Sequence, residues 1–317
     1  MGIRTFNQDQ NFFDRFSRTR STGTASSPVS ATGGTKFTSG DFTYHFYVND
    51  AFAPQPSSNK EFTLASGSSI NVLVIGGGAG GQNDGGGGGG AGGVAHAENM
   101  PVSPGTFVAT VGQGKAYDDA TESSTFVDPS GPTTITALGG GHGRDSNAGN
   151  GGGSGGGGGQ PNNSGGPGNQ PSQNPGLSYV SNYGFAGGSG GPSDQGGGGG
   201  GAGETGFAGS PGVGGNGRNF SFMPGPQLYT DMPSPLQSVV GTAWRDALGS
   251  PGRMAGGGGG GGPSSPAAGG AGGGGTGGTT RGNGVNYTGS GAGGGPSSPN
   301  EPGGTGGNGI IVVYYPT

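Results

Sequence analysis

The chain has 317 residues, of which 89 are glycine and 24 proline, while 26% are hydrophobic and 9% charged. So little apolar surface cannot offset the ordering entropy of an ordinary globular domain, and a net charge of −5 leaves no footprint for general nucleic-acid or membrane-surface binding. The absence of cysteine excludes disulfides, thiol catalysis and thiolate metal sites.

Residues 1–35 open with "MGIRTF", which has no apolar core for a signal peptide. Phe6, Phe12, Phe13 and Phe16 form one apolar face beside a basic edge of Arg15, Arg18 and Arg20. Four phenylalanines in so short a segment cannot bury themselves alone, so this stretch is expected to attach to another chain through those rings. A Ser/Thr/Gly-rich linker follows.

Residues 36–140 read as β-rich. "TKFTSGDFTYHFYV" alternates Phe42, Tyr44 and Phe46 with polar partners, and "KEFTLASG", "SINVLVIGG", "GTFVATVGQG" and "TTITALGGG" follow as short strands. The third of these runs into Gly76, Gly78 and Gly81, the spacing of a dinucleotide-binding turn. That turn needs a helix directly after it. The next fourteen residues, "QNDGGGGGGAGGVA", contain eight glycines, which would cost a helix roughly 6 to 8 kcal/mol relative to alanine. The dinucleotide reading fails, and no cofactor is expected.

Only six glycines precede residue 76, and the rest fall between Gly76 and Gly309. Residues 141–317 are expected to form a glycine-rich body, closed by the strand "GIIVVYYPT" and interrupted by two loops, 160–185 and 216–255. From Gly197 to Gly215 every third residue is glycine, the period of a polyproline II helix. Collagen needs one unbroken register, and here the register restarts. The expectation is a packed polyglycine-II bundle, with Gly85–Gly90, Gly196–Gly201 and Gly256–Gly262 inside and the triplet segments at the surface. The predicted class is therefore mostly β with little helix: a small antiparallel β-region plus a polyglycine-II helix bundle. No apolar run reaches membrane-spanning length. One helix is predicted in "SPLQSVVGTAWRDALG", with Ser234 as N-cap, Pro235 at N1, Gly249 at C′ and an apolar stripe that includes Leu236, Val240, Trp244 and Leu248.

Catalysis is poorly supported. His45, His96 and His142 are far apart and outside any metal-spaced motif, while Asp118, Asp119 and Glu122 lack the glycine turn of a calcium loop. No metal and no enzyme activity are expected. Aromatic residues instead recur between glycine segments: Tyr179, Tyr183, Phe185, Phe207, Phe220, Phe222, Tyr229 and Trp244. Aromatic loops on a rigid scaffold make good binding surfaces, and the same side chains would equally serve to cap the ends of the bundle.

In order along residues 33–317, "GGTKFTSGDFTYHFY", "INVLVIGGGAGG", "VSPGTFVATVGQG", "TTITALGGGHG", "MAGGGGGGG" and "GGTGGNGIIVVYY" resemble the glycine-rich domain at the C-terminal ends of bacteriophage tail-fibre and adhesin proteins. The resemblance implies a β-sandwich-like base with, as in the T-even-type distal adhesins, a polyglycine-II sandwich whose loops recognise host receptors. The chain departs from those adhesins in its long N-terminal β-region and in the insertion 216–255. The expectation is an extracellular virion protein, attached to another virion protein through residues 1–35. Its aromatic loops would bind a bacterial surface receptor, either a glycan or an outer-membrane protein, and it could form a homo-oligomer. The alternative is a structural fibre or decoration protein whose loops contact neighbouring subunits.

Overall fold

The computed structural model describes residues 28–49, 61–128, 131, 133–210, 212–263, 266–297 and 301–317. Phe6, Phe12, Phe13 and Phe16 lie outside the described residues. The fold is mostly β, built from antiparallel sheets, with two helices among the described residues.

Strand β1 (Ser30–Thr32) is followed by the hairpin β2 (Thr35–Ser39) and β3 (Phe42–Tyr47), then β4 (Glu61–Ser66) and β5 (Ser69–Ile75). Next come β6 (Val94–Pro101), β7 (Gly105–Thr110), β8 (Ser124–Val127), β9 (Thr134–Ala137) and β10 (Val180–Tyr183). A two-residue pair, β11 (Arg218–Asn219) and β12 (Arg253–Met254), brackets helices α1 (Gly225–Asp231) and α2 (Ser234–Leu248), and β13 (Ile310–Pro316) follows. One sheet has the order β1-β4-β7-β8-β9 and the other β10-β6-β5-β13-β3-β2. Strands β10 and β13, from beyond residue 140, are thus built into the same sheet as β5 and β6.

The six-stranded sheet is covered on both faces, which explains why β13 is an unbroken apolar run instead of an alternating one. Ile311, Val313 and Tyr315 point into a core shared with Phe62, Phe107 and Phe126 of the five-stranded sheet. Ile310, Val312 and Tyr314 point the other way, into a core completed by Leu228, Leu236, Val240, Trp244 and Leu248 of the helices. The insertion 216–255 is therefore a lid on the sandwich. Its helix departs from expectation in two ways. Pro233 occupies the N-cap position ahead of Ser234, and Gly241 (φ 73°, ψ 172°) breaks the helix into two pieces, a conformation glycine adopts without a Cβ clash. The second helix, α1, was not expected. It is seven residues long and follows Pro224.

The remainder is glycine-rich chain without strand pairing, and its backbone bonds follow a simple rule. Within Gly85–Gly93, Gly87, Gly90 and Gly93 donate to Arg144, Gly141 and Leu138; Gly88 and Ala91 donate to Gly197 and Gly200; Gly89 and Gly92 donate to Ala292 and Gly289. The carbonyls of the same run accept from three further segments, 76–82, 154–157 and 258–261. Partners recur every third residue, so one run is bonded to six neighbours. Gly196, Gly199 and Ala202 donate in the same way to Gly261, Gly258 and Ala255. The runs 85–93, 196–203 and 255–262 are thus mutually bonded at the centre of the body. A Cβ on Gly88, Gly199 or Gly258 would overlap the carbonyl of Gly258, Gly89 or Ala292. These positions must be glycine because backbone packs on them from every side, while the small side chains of Ala91, Ala202 and Ala255 fit at the ends of the runs nearest the sandwich. The strands lead directly into this body: Gly76 N–H donates to Gly93 O at 3.0 Å, one step beyond the β5–β6 pairing. No helix follows Gly76–Gly81.

Candidate recognition surface

The aromatic residues singled out in the sequence separate by position. Trp244 is fully buried: its ring lies 6.1 Å from Phe46 and its Nε1–H donates to Tyr287 O at 3.1 Å. Phe220 is buried as well, edge-on to His96. Phe222 is half-buried, stacked 4.1 Å from Tyr314 and 5.0 Å from His96, and its carbonyl accepts from Tyr44 Oη at 2.5 Å. Tyr229 is half-buried on the lid, with the Arg245 guanidinium 5.6 Å from its ring centre. Tyr183 carries the Arg218 guanidinium at 4.3 Å, and Tyr179 packs against the inter-sheet core. Most of the set thus fastens the insertion and the 170–183 segment to the sandwich.

Phe185 and Phe207 differ, being 41% and 49% exposed. Both take part in the backbone network: Phe185 N–H donates to Gly201 O, and Phe207 O accepts from Gly198 N–H. Their runs are adjacent, since Gly206 N–H donates to Ala186 O and Phe207 N–H donates to Val213 O, and Val213 is itself 38% exposed. Three apolar side chains therefore project from three neighbouring runs along the side of the body.

The far end of the body, opposite the sandwich, is made of short polar turns. Gln160 links two of them, its Nε2 donating to Asp84 O at 3.5 Å and its Oε1 accepting from Asp194 N–H at 2.6 Å. The turns 82–85, 145–148, 160–163 and 192–195 contain no aromatic residue. Asp118 lies 3.5 Å from Arg144, and Glu122 pairs with Lys115 at 2.7 Å. Among the described residues no group of three or more His, Cys, Asp or Glu could hold a metal ion.

Two of the three histidines, which sequence spacing left without a role, fasten the closing strand, while His142 bonds the Asp119 carbonyl at 2.7 Å. His96 Nε2 lies 2.8 Å from Tyr314 Oη, and His45 Nε2 lies 2.9 Å from Tyr315 Oη. His45 Nδ1 faces the Gly33 carbonyl at 2.7 Å, so Nδ1 donates and Nε2 accepts from the tyrosine. Burial pulls the His45 pKa down to about 4, partly offset by the Gly33 bond. His96 is lowered by burial too, opposed by Glu98 and assisted by Arg218. Burial lifts the Tyr44 phenol to about 12.

A family model described as a glycine-rich domain matches residues 56–316. The chain belongs to the glycine-rich domain family. The match takes in both strand-bearing and glycine-run segments, so this glycine-rich domain includes most of the sandwich together with the body it leads into. No curated protein matches the chain. Among the described residues of the domain, no helix is long and apolar enough to cross a membrane.

Proposed function

We propose that this glycine-rich domain is a non-enzymatic phage virion protein, a tail-fibre tip adhesin that carries a bacterial surface receptor-binding face on a polyglycine-II scaffold. The observation that carries the scaffold is the three-residue recurrence of bonding partners around Gly85–Gly93, the repeat of a polyproline-II-type helix. Such a scaffold has its backbone groups paired on several sides and has room for large side chains only at its outer face. Phe185 and Phe207 stand there, and exposed aromatics on a rigid support are favourable contact residues. Attachment to another virion protein is assigned to residues 1–35, and the receptor to a glycan or an outer-membrane protein.

Adsorption of the purified protein to host cells tests the reading. Replacing Phe185 and Phe207 with serine should weaken adsorption by about 1 to 3 kcal/mol at one or both positions without changing the melting temperature. Unaltered adsorption would move these residues out of the receptor face. A second reading, a structural fibre or decoration protein, is favoured by the position of Phe185, Phe207 and Val213 on the side of the body, where a neighbouring subunit would lie. Copy number separates the two: a few copies per tail support the adhesin, hundreds per particle the structural protein.

A further inference from the structure

Four Asn–Gly pairs occur in the sequence: Asn150–Gly151, Asn216–Gly217, Asn283–Gly284 and Asn308–Gly309. Such pairs are open to ring closure, because glycine puts no side chain in the way when its backbone nitrogen turns onto the carboxamide carbon of the preceding asparagine. The glycine body treats the four differently. Gly217 N–H donates to Ala271 O, Gly284 N–H to Thr305 O and Gly309 N–H to Gly112 O, at 2.8 to 2.9 Å. A nitrogen committed to such a bond must give it up before it can attack. Gly151 is exposed, and its N–H has no acceptor among the described residues. The carboxamides differ as well. Those of Asn216, Asn283 and Asn308 accept through Oδ1 from the neutral backbone N–H groups of Ala271, Thr305 and Gly114, and Nδ2 of Asn216 and of Asn308 is held by Glu204 and by Asn49 O. Asn150 Oδ1 instead accepts from the Arg144 guanidinium, Nε to Oδ1 at 3.1 Å, and Asn150 Nδ2 has no partner among the described residues. Asn150 alone combines an unbonded attacking nitrogen, an unbonded leaving nitrogen and a charged donor on the carbonyl between them.

We propose that Asn150–Gly151 is a self-modifying site, at which the chain converts Asn150 to aspartate and isoaspartate through a succinimide, with Arg144 activating the carboxamide. Water takes the proton of Gly151 N–H as that nitrogen bonds to Asn150 Cγ. The negative charge that develops on Oδ1 is met by the Arg144 N–H already bonded to it, the placement of an oxyanion donor. The tetrahedral centre collapses by breaking Cγ–Nδ2, and the nitrogen leaves as ammonia with a proton returned from solvent. Water then opens the ring at either carbonyl, so that in sum one water is consumed and one ammonia released, with no oxidation or reduction. Opening at Cγ restores the backbone and leaves a carboxylate beside Arg144. Opening at the main-chain carbonyl routes the chain through Cβ and Cγ and lengthens its backbone by one atom. That insertion falls where Asn150 N–H donates to His142 O and Gly152 N–H to Pro167 O, and it breaks the three-residue recurrence on which the lattice depends. The inference does not rest on the adhesin reading, because it concerns the chemistry of the chain alone.

The test follows the full chain at neutral pH over time, by digestion and peptide mass spectrometry with fragmentation that locates each converted asparagine and separates aspartate from isoaspartate. Asn150 should convert about tenfold or more faster than Asn216, Asn283 and Asn308, the factor expected when one hydrogen bond holds the attacking nitrogen back. In denaturant, where no such bond is kept, the four should convert at similar rates, which ties the difference to the fold. Arg144→Met, with a melting temperature matching the parent's, should slow conversion at Asn150 about tenfold and leave the other three as they were. Comparable rates at the four sites of the folded chain overturn the proposal, as does conversion led by any of the other three. A rate at Asn150 that Arg144→Met leaves unchanged overturns the part assigned to the guanidinium.

Discussion

The sandwich and the glycine body are cohesive for opposite reasons. Between the two sheets, the ring centres of Phe62, Phe107 and Phe126 lie 5.3 to 6.2 Å apart, and stability comes from close-packed side-chain volume. In the body there is almost no side-chain volume, and stability comes from backbone donors and acceptors paired with six neighbours. The two regions therefore invert each other's sensitivity. The sandwich suffers when a side chain is cut away, the body when one is added.

The largest effect should follow from adding one. Gly88→Val and Gly259→Val each drive a Cβ into a carbonyl of an adjacent run, Gly258 and Ala267 respectively. Separating those runs leaves several backbone groups unpaired, at about 1 to 3 kcal/mol each, and should abolish cooperative unfolding in calorimetry. A melting profile like the parent's would mean that the runs are not packed on one another.

Cutting away should dominate at the sandwich. Trp244→Ala is expected to cost about 3 to 5 kcal/mol, measured as a lowered denaturant midpoint, because the indole fills the lid core and satisfies Tyr287 O. A loss below about 1 kcal/mol would show that the lid is only loosely seated.

The sandwich also carries a pH dependence. The folded pKa of His45 is lowered to about 4, so the neutral form is favoured by folding. Its contribution is present above the unfolded value near 6.5 and is lost as pH falls from there towards 4. The size is on the order of 3 kcal/mol. His45→Gln should flatten the stability–pH curve in that window relative to the parent, and parallel curves would remove the assignment.

The smallest effect sharpens the contrast within the body itself. Thr205 is exposed on an outer run between Glu204 and Gly206, so Thr205→Val should stay within about 0.5 kcal/mol. A penalty comparable with that of Gly88→Val would imply a partner on that face.

Much of this arrangement was legible in the sequence where a local pattern had a single physical outlet. The alternation of Phe42, Tyr44 and Phe46, the apolar run of β5, the closing strand and the uninterrupted glycine runs all found the places their patterns predict. Strand β6, "VAHAENMP", was not legible, because Ala, His, Asn and Glu have little intrinsic preference for strands. It is a strand because β5 and β10 pair with it on both sides. The candidate surface was harder to read. An aromatic in an insertion carries no local sign of whether it faces solvent or the chain's own sheet, and Phe220 and Trp244 took the second course. Trp244 had given a hint, since Leu236, Val240, Trp244 and Leu248 recur every four residues. Phe185 and Phe207 stay outside because their neighbours are glycines committed to backbone bonds, which leaves no apolar surface to receive them.

The central claim is that the glycine body is ordered by its own backbone bonds, and hydrogen–deuterium exchange resolved to the amides of Gly85–Gly93, Gly196–Gly203 and Gly256–Gly262 tests it most directly. The account predicts protection in these three runs comparable with that of β5 and β13, opening only with global unfolding. Exchange of the glycine amides at the rate of an unstructured chain, while β5 and β13 stay protected, would contradict it.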